Sequence, residues 1–313
     1  MAGGPAMVNL AEHLDEYLRL RRALGHQLAD AARLLPHFVS YLEEIGASHI
    51  TVDNALAWVT QPEGSLSSSI WMHRMIAVRG FARHMSGIDP AHQVPPLGLV
   101  SFRRHWRQPY IYSDAEVVAL MAAVPSIIPT PLRAATQATM IGLLATTGMR
   151  VGEAIALGRA DLDWGEEVIT VRNTKFDKSR EVPIEPSTTE ALRAYAELRD
   201  WVVPQPMVRN FFTSAKGTPI FSSDFGTKFR ELIRITGVGA DSPRPPRVHD
   251  LRHSFALKTL VRWYRDGEDV GRLLPRLSTY LGHLTPGYTY WYLSAAPELL
   301  ELAAARLEKR SHL

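Results

Sequence analysis

From Leu10 to about Met85 the apolar residues recur at spacings of three and four, the period of a helix that buries one face. Leu10, Leu14, Tyr17 and Leu18 make one such stripe, and Leu28, Ala31, Leu35, Phe38 and Leu42 make a second. The pattern predicts two further helices, Val52 to Val59 and Ser68 to Met85, and so a small all-helical bundle. Between Gly87 and Tyr112 the period fails, because Pro90, Pro95, Pro96 and Pro109 cannot continue a helix. The reading is a helical domain over residues 1–88, a linker over 89–112, and a second domain over 113–313.

The second domain opens on Ser113-Asp114-Ala115-Glu116, the pattern of a capping box, ahead of the apolar run Val117 to Val124. A long helix is predicted from Pro131 to Thr147, stopped by Gly148, and a short one from Val151 to about Leu157. The period then changes to two. Val168 to Arg172 and Arg180 to Ile184 read as paired strands whose tip is Asn173 to Ser179. Ser187 and Glu190 suggest another capping box, with a helix to about Trp201. From Ser223 onward the chain reads as helical, broken at Gly237 to Pro246 and near Pro286-Gly287.

Composition adds limits. Hydrophobic residues at 46% and charged residues at 21% of 313 positions are ordinary globular values. No apolar run approaches the roughly 20 residues of a membrane helix, and the first ten residues lack the blocks of a signal peptide. The expectation is a cytoplasmic protein with no membrane partner. With no cysteine there is neither a disulfide nor a thiolate metal site, and no Gly-x-x-x-x-Gly-Lys loop points to ATP. No cofactor is expected.

The net charge of +3 is a weak argument for nucleic acid, but its distribution is informative. Residues 209–272 hold twelve basic and seven acidic side chains, Arg244 and Arg247 among the basic ones. Arg103, Arg104 and Arg107 cluster beside Trp106 in the linker, where a strap across a DNA backbone would be useful. Arg79 and Arg83, four apart, share a helix face that phosphates would suit. Either of the first two clusters taken alone is equally well a solvated basic surface, and an exposed Arg pair such as Arg79 and Arg83 is usually only that.

Three separated stretches carry groups suited to a phosphate. They are Thr147-Gly148-Met149-Arg150-Val151-Gly152-Glu153, then His249-Asp250-Leu251-Arg252-His253, then Leu281-Gly282-His283 with Tyr292 nine residues on. Singly each is weak. In this order, with a Lys-bearing hairpin between the first two, they resemble the tyrosine recombinase (phage integrase) family, whose set is Arg, Lys, His-x-x-Arg, His or Trp, and Tyr. The resemblance spans about residues 113–300. It implies a mainly helical fold: a SAM-like core-binding bundle, then a mixed α/β catalytic domain of the DNA breaking-rejoining type with a small antiparallel sheet.

The resemblance also implies the chemistry. Transfer of a DNA phosphodiester to a tyrosine builds negative charge on two non-bridging oxygens, and fixed positive groups must be aimed there. Arg150 and Arg252 are the implied clamp, since planar guanidinium donors match phosphate oxygens and stay charged. Lys175 is the implied general acid for the leaving 5′ oxygen, with Lys178 its competitor and otherwise, with Arg180, a DNA contact. His249 would assist proton removal from the phenol, and His283 would donate to the phosphate. Glu153 resembles the family's acidic residue that orients a partner. Tyr280, Tyr288 and Tyr290 crowd the same stretch, but the spacing of nine from the Leu-Gly-His histidine selects Tyr292.

His249 and His253, four apart, form a zinc-like pair, yet no glutamate stands in the base position and no third ligand is suggested, so no metal is expected. As partners the family implies double-stranded DNA, a tetramer of the chain in the synaptic complex, and companion recombinases. The amphipathic stretch with Leu299, Leu302, Ala303 and Leu307 packs on its own domain or, as in the family, on a neighbour; truncation after Ser294 is then expected to impair assembly. The closing Tyr288-Thr-Tyr-Trp-Tyr-Leu-Ser looks like integrases of mobile elements. Two rival classes remain: a DNA-binding accessory protein of the same fold that does not cleave, and a type IB topoisomerase.

Overall fold

A computed structural model describes residues 9–26, 28–61, 68–100, 108–172, 179–282, 287, 289 and 292. Of the residues singled out in the sequence, Arg103, Arg104, Arg107, Lys175, Lys178 and His283 lie outside this set, as do Tyr288, Tyr290 and the closing amphipathic stretch. The chain divides into two compact units, Met1–Trp106 and Arg107–Leu313. Among the described residues no helix is long and apolar enough to cross a membrane.

The first unit holds α1 (Leu10–Ala23), α2 (Ala29–Glu44), α3 (Val52–Val59) and α4 (Ser68–Ile88). Their stripes meet in one core built on Leu35, Phe38, Leu42, Ile50, Val59, Val78, Phe81 and Met85, all fully buried. Thr51 caps α3 through a reciprocal box with Asn54, which satisfies two backbone donors at its start. Residues expected to open a linker instead belong to this unit. His92 is buried and its Nδ1 accepts from the Ile50 amide at 3.0 Å, while the Gln93 amide donates to the Ile50 carbonyl at 2.7 Å. Leu99 and Val100 pack on the core.

The second unit begins with α5 (Asp114–Ile127), α6 (Pro131–Thr147) and α7 (Val151–Ala156). Ser113 and Glu116 form the expected capping box. A three-residue 3-10 turn, Arg159–Asp161, leads into β1 (Leu162–Asp163), β2 (Val168–Val171) and β3 (Arg180–Pro183). The strands are antiparallel in the order β1-β2-β3, with Ile169 opposite both Leu162 and Val182, so alternate apolar residues face the core. Then come α8 (Pro186–Val202), α9 (Ser222–Thr236), α10 (Val248–Arg265) and α11 (Val270–Leu281).

The Ser187–Glu190 box does not form. The cap position of α8 falls on Glu185, with Pro186 in the first turn, where its missing N–H costs nothing. Strand β1 was not legible, since two residues are too few to display a period.

The core of this unit gathers Tyr112, Leu120, Ile141, Leu144, Phe211, Phe212 and Phe229. A second cluster joins α10 and α11 through Leu257, Leu260, Leu274, Leu277 and Leu281, and Tyr292 is packed into it. Ser254 ties α10 to the start of the unit by accepting from the Tyr112 amide at 2.8 Å. Gly148 closes α6 with φ +62°, and a Cβ there would lie 2.6 Å from Phe255. Only glycine suits both the left-handed backbone and that approach. The chain can therefore turn sharply from α6 into α7 with Arg150 at the corner.

Candidate active site

Arg150 is the N-cap residue of α7, and Glu153 is three residues into the helix. The carboxylate accepts from the Arg150 amide at 2.9 Å and from its Nη1 at 2.7 Å, which satisfies an orphan backbone donor and fixes the guanidinium together. Burial alone would raise the Glu153 carboxyl. Hydrogen bonds from Arg180 and Arg150, with the charge of Arg180, outweigh it and bring the carboxyl down to about 2.

Arg252 stands near the start of α10, 2% exposed. Its Nη1 donates to the Gly148 carbonyl at 2.8 Å and its Nη2 to the Leu281 carbonyl. Burial and then the charge of Arg150 push this guanidinium down to about 10. Two cations held close enough to repel, one of them enclosed by protein, make a region whose electrostatic cost an anion would relieve.

The C-terminal turn of α11 completes the scaffold. Its last carbonyls have no helical partner and carry the negative end of the helix dipole. Three successive ones each accept from a different arginine: Tyr280 from Arg180 Nε at 2.7 Å, Leu281 from Arg252, and Gly282 from Arg150 Nη2 at 2.9 Å. Residues 132 and 29 positions from this turn in sequence are thus fixed to one point.

Tyr292 is 3% exposed. Burial pushes its phenol up to about 12, and the charges of Arg252 and Arg150 offset part of that rise. The phenol therefore feels both guanidinium groups. Its hydroxyl lies 2.8 Å from Nδ1 of His253, with the rings 5.5 Å apart. His249, one turn earlier on α10, meets His253 edge to face at 4.9 Å.

His249 is open to solvent on one side yet crowded by protein. The desolvation that results, with Arg252 beside it, lowers it to about 4. His253 is brought down to about 4 by burial and by its neighbour His249. Both rings are neutral at pH 7, so each retains a nitrogen able to accept a proton.

The structure brings together Arg150, Glu153, Arg252, His249 and Tyr292 of the residues expected from the sequence. It adds His253, which the sequence alone offers only as half of a zinc-like pair. The signal was available: residues four apart on a helix share a face, so a tyrosine that meets one histidine of the pair is within reach of the other.

Several expected DNA contacts turn out to be occupied inside the protein. Arg180 has a side chain 9% exposed, and its three nitrogens are spent on Glu153 and Tyr280. Arg79 donates to the Pro95 and Pro96 carbonyls at 2.8 and 2.7 Å, tying α4 to the proline-rich segment. Spacing alone does not reveal such partners. Arg247, 40% exposed, pairs with Asp250 at 2.7 Å, while Arg83 and Arg244 are exposed.

A buried tyrosine beside an arginine pair, on a mainly helical unit with a small antiparallel sheet, defines the class of tyrosine recombinases. The chain belongs to the phage integrase family, whose model matches residues 112–298. It is 41% identical over 310 residues to the putative integrase/recombinase y4rB of Sinorhizobium fredii, covering 97% of this chain and 98% of that one. It is 29% identical over 266 residues to the tyrosine recombinase XerD of Ralstonia nicotianae, covering 83% and 79%.

Among solved structures the fold is similar to XerH site-specific recombinase bound to a palindromic difH substrate in a post-cleavage complex. That match has a TM-score of 0.65 at 20% identity and covers 96% of this chain and 85% of that one. It is likewise similar to the Tn1549 transposon integrase in complex with transposon right end DNA, with a TM-score of 0.64 at 18% identity, covering 96% and 99%.

Proposed function

We propose that this chain cuts and rejoins double-stranded DNA at specific sites through a covalent link between Tyr292 and a 3′ phosphate. The observation that carries the reading is the buried phenol of Tyr292 hydrogen-bonded to His253 and under the charge of Arg150 and Arg252. The two guanidinium groups receive the non-bridging oxygens, whose charge grows as phosphorus becomes five-coordinate. The Tyr292 oxygen attacks, the bond from phosphorus to the 5′ oxygen breaks, and the new bond to tyrosine keeps the energy of a phosphodiester for rejoining. Arg150 and Arg252 make a poor general acid, being committed to charge. Lys175, or its neighbour Lys178, delivers the proton to the 5′ oxygen, and His283 adds a hydrogen bond to the phosphate.

The phenol proton passes first to His253. This differs from the expectation that His249 assists proton removal from the phenol, and the 2.8 Å hydrogen bond between the Tyr292 hydroxyl and His253 supports it. His249 then serves the phosphate side of the pair. Arg83, Arg244 and Arg247 supply contacts to the DNA backbone, whose role is affinity and register rather than base reading. Arg103, Arg104 and Arg107 are further backbone contacts of the same kind. Four copies act on two sites, with companion recombinases as further partners, and the setting is a mobile element, a reading supported by the closing Tyr288-Thr-Tyr-Trp-Tyr-Leu-Ser sequence.

The test uses a nicked suicide duplex chosen by binding selection from a randomised 40-base-pair pool. An adduct with the chain that disappears in Tyr292→Phe, together with recombinant products, supports the proposal. Relaxation of supercoils without recombinants would make the chain a topoisomerase, and binding without any adduct an accessory protein.

A further inference from the structure

We infer that Arg180 is a positioning residue of the arginine clamp, one that keeps Arg150 available to an anion by sharing the negative charge of Glu153. The inference rests on the reading of Arg150 as a phosphate ligand and deepens it. Strand β3 delivers Arg180 from a part of the sheet that pairs Arg180 with Val171. Its guanidinium meets the Glu153 carboxylate end-on, Nη1 to Oε1 at 3.0 Å and Nη2 to Oε2 at 2.7 Å, a bidentate fork. The same two oxygens also hold Arg150, through Nη1 at 2.7 Å and through the backbone amide at 2.9 Å.

Charge explains why two arginines share one acid. Glu153 with Arg150 alone would be a neutral pair, and its carboxylate would compete with an incoming phosphate for the guanidinium. With Arg180 added, the three groups sum to one positive charge. Arg180 is the buried member, at 9% side-chain exposure, whereas Arg150 is 39% exposed, so the surplus faces outward on Arg150. Low local dielectric enlarges this effect relative to water.

The remaining nitrogen, Nε, donates to the Tyr280 carbonyl at 2.7 Å and so anchors the turn whose next two carbonyls hold Arg252 and Arg150. Gly282 makes room for it: with φ +66°, a Cβ there would lie 2.9 Å from Arg180 Nη1.

The discriminating experiment compares Arg180→Ala, Arg180→Lys, Glu153→Gln and the double variant Arg180→Ala/Glu153→Gln with the parent, each checked for folding by thermal melting. Cleavage is followed at saturating protein on the selected nicked duplex, and binding to the same duplex is followed against salt. Arg180→Ala is expected to keep the parent's salt slope while cleavage falls by about 30-fold or more. Glu153→Gln in that background is expected to restore part of the lost rate, because it removes the uncompensated carboxylate.

A slope lower by about one with normal cleavage at saturation would make Arg180 a phosphate contact and overturn the inference. So would a double variant no faster than Arg180→Ala. If Arg180→Ala does not fold, Arg180→Lys decides: charge without the fork should leave cleavage reduced, and full activity would contradict the geometry. If Arg150→Ala itself leaves cleavage intact, the phosphate reading of the site fails. Loss in Arg150→Ala with an unaffected Arg180→Ala refutes the inference alone.

Discussion

The hydroxyl of Tyr292 and Nδ1 of His253 stand 2.8 Å apart inside the catalytic unit, although 39 residues separate them in sequence. Burial holds the phenol at about 12 and the imidazole at about 4, so at pH 7 the tyrosine keeps its proton and the imidazole is neutral. On the proposed reading the pair keeps the phenol neutral until a phosphate arrives, and a new negative charge beside His253 would raise its basicity.

His253→Ala is therefore expected to slow covalent adduct formation by about 100-fold at pH 7, the usual scale of a lost general base. His253→Gln, which keeps a hydrogen-bonding side chain without a titrating ring, should recover little of it. Single-turnover kinetics on the suicide duplex measure both. Wild-type rates in His253→Ala with a large loss in His249→Ala would transfer the proton-accepting role to His249.

The two histidines also predict how stability follows pH. A histidine whose folded pKa lies near 4, below the unfolded value near 6.5, binds fewer protons when folded across that interval. Stability is then complete above about pH 6.5 and declines as pH falls toward 4. His253, the more enclosed of the two, should dominate. Urea midpoints at pH 7 and pH 5 test this: the parent should lose more between them than His253→Gln does, and equal losses would refute it.

Arg150→Ala should leave DNA affinity largely intact while cleavage falls by about 100-fold or more, because the charge it supplies matters most as phosphorus becomes five-coordinate. Filter binding and adduct yield separate the two effects. Equal losses in both would make Arg150 a ground-state contact.

Gly148→Ala places a Cβ in the left-handed region and 2.6 Å from Phe255. The cost expected is about 1–3 kcal/mol from backbone strain and overpacking. Because the Gly148 carbonyl also holds Arg252, cleavage by the folded variant should fall as well. Chemical denaturation reports the first effect, and an unchanged midpoint would show that Phe255 moves aside without cost.

Much of the fold was legible because helices with one apolar stripe announce their own period. Helices α3 and α6 were read with the boundaries the structure gives them, Val52–Val59 and Pro131–Thr147, helped by Gly148 as a stop. The gap between α10 and α11 at residues 266–269 was missed, as the polar Asp266-Gly267-Glu268-Asp269 is short enough to pass for a solvated helix face. In the site, Arg150, Arg252 and Tyr292 were legible through spacing that resembles a family. Arg180 reads as a DNA contact in the sequence because charge there carries no record of its partner. Nothing in a linear chain says that β3 returns beside α7, which is what joins Arg180 to Glu153. His253 is illegible for the same reason, since its partner Tyr292 comes from a distant segment.

The most direct test of the whole account is the site of covalent attachment. The chain is incubated with the selected suicide duplex, digested with nuclease and protease, and the nucleotide-bearing peptide is sequenced by mass spectrometry. The expected product carries a nucleotide 3′-phosphate on Tyr292. A modified Tyr280, Tyr288 or Tyr290, or an adduct that persists in Tyr292→Phe, would contradict it.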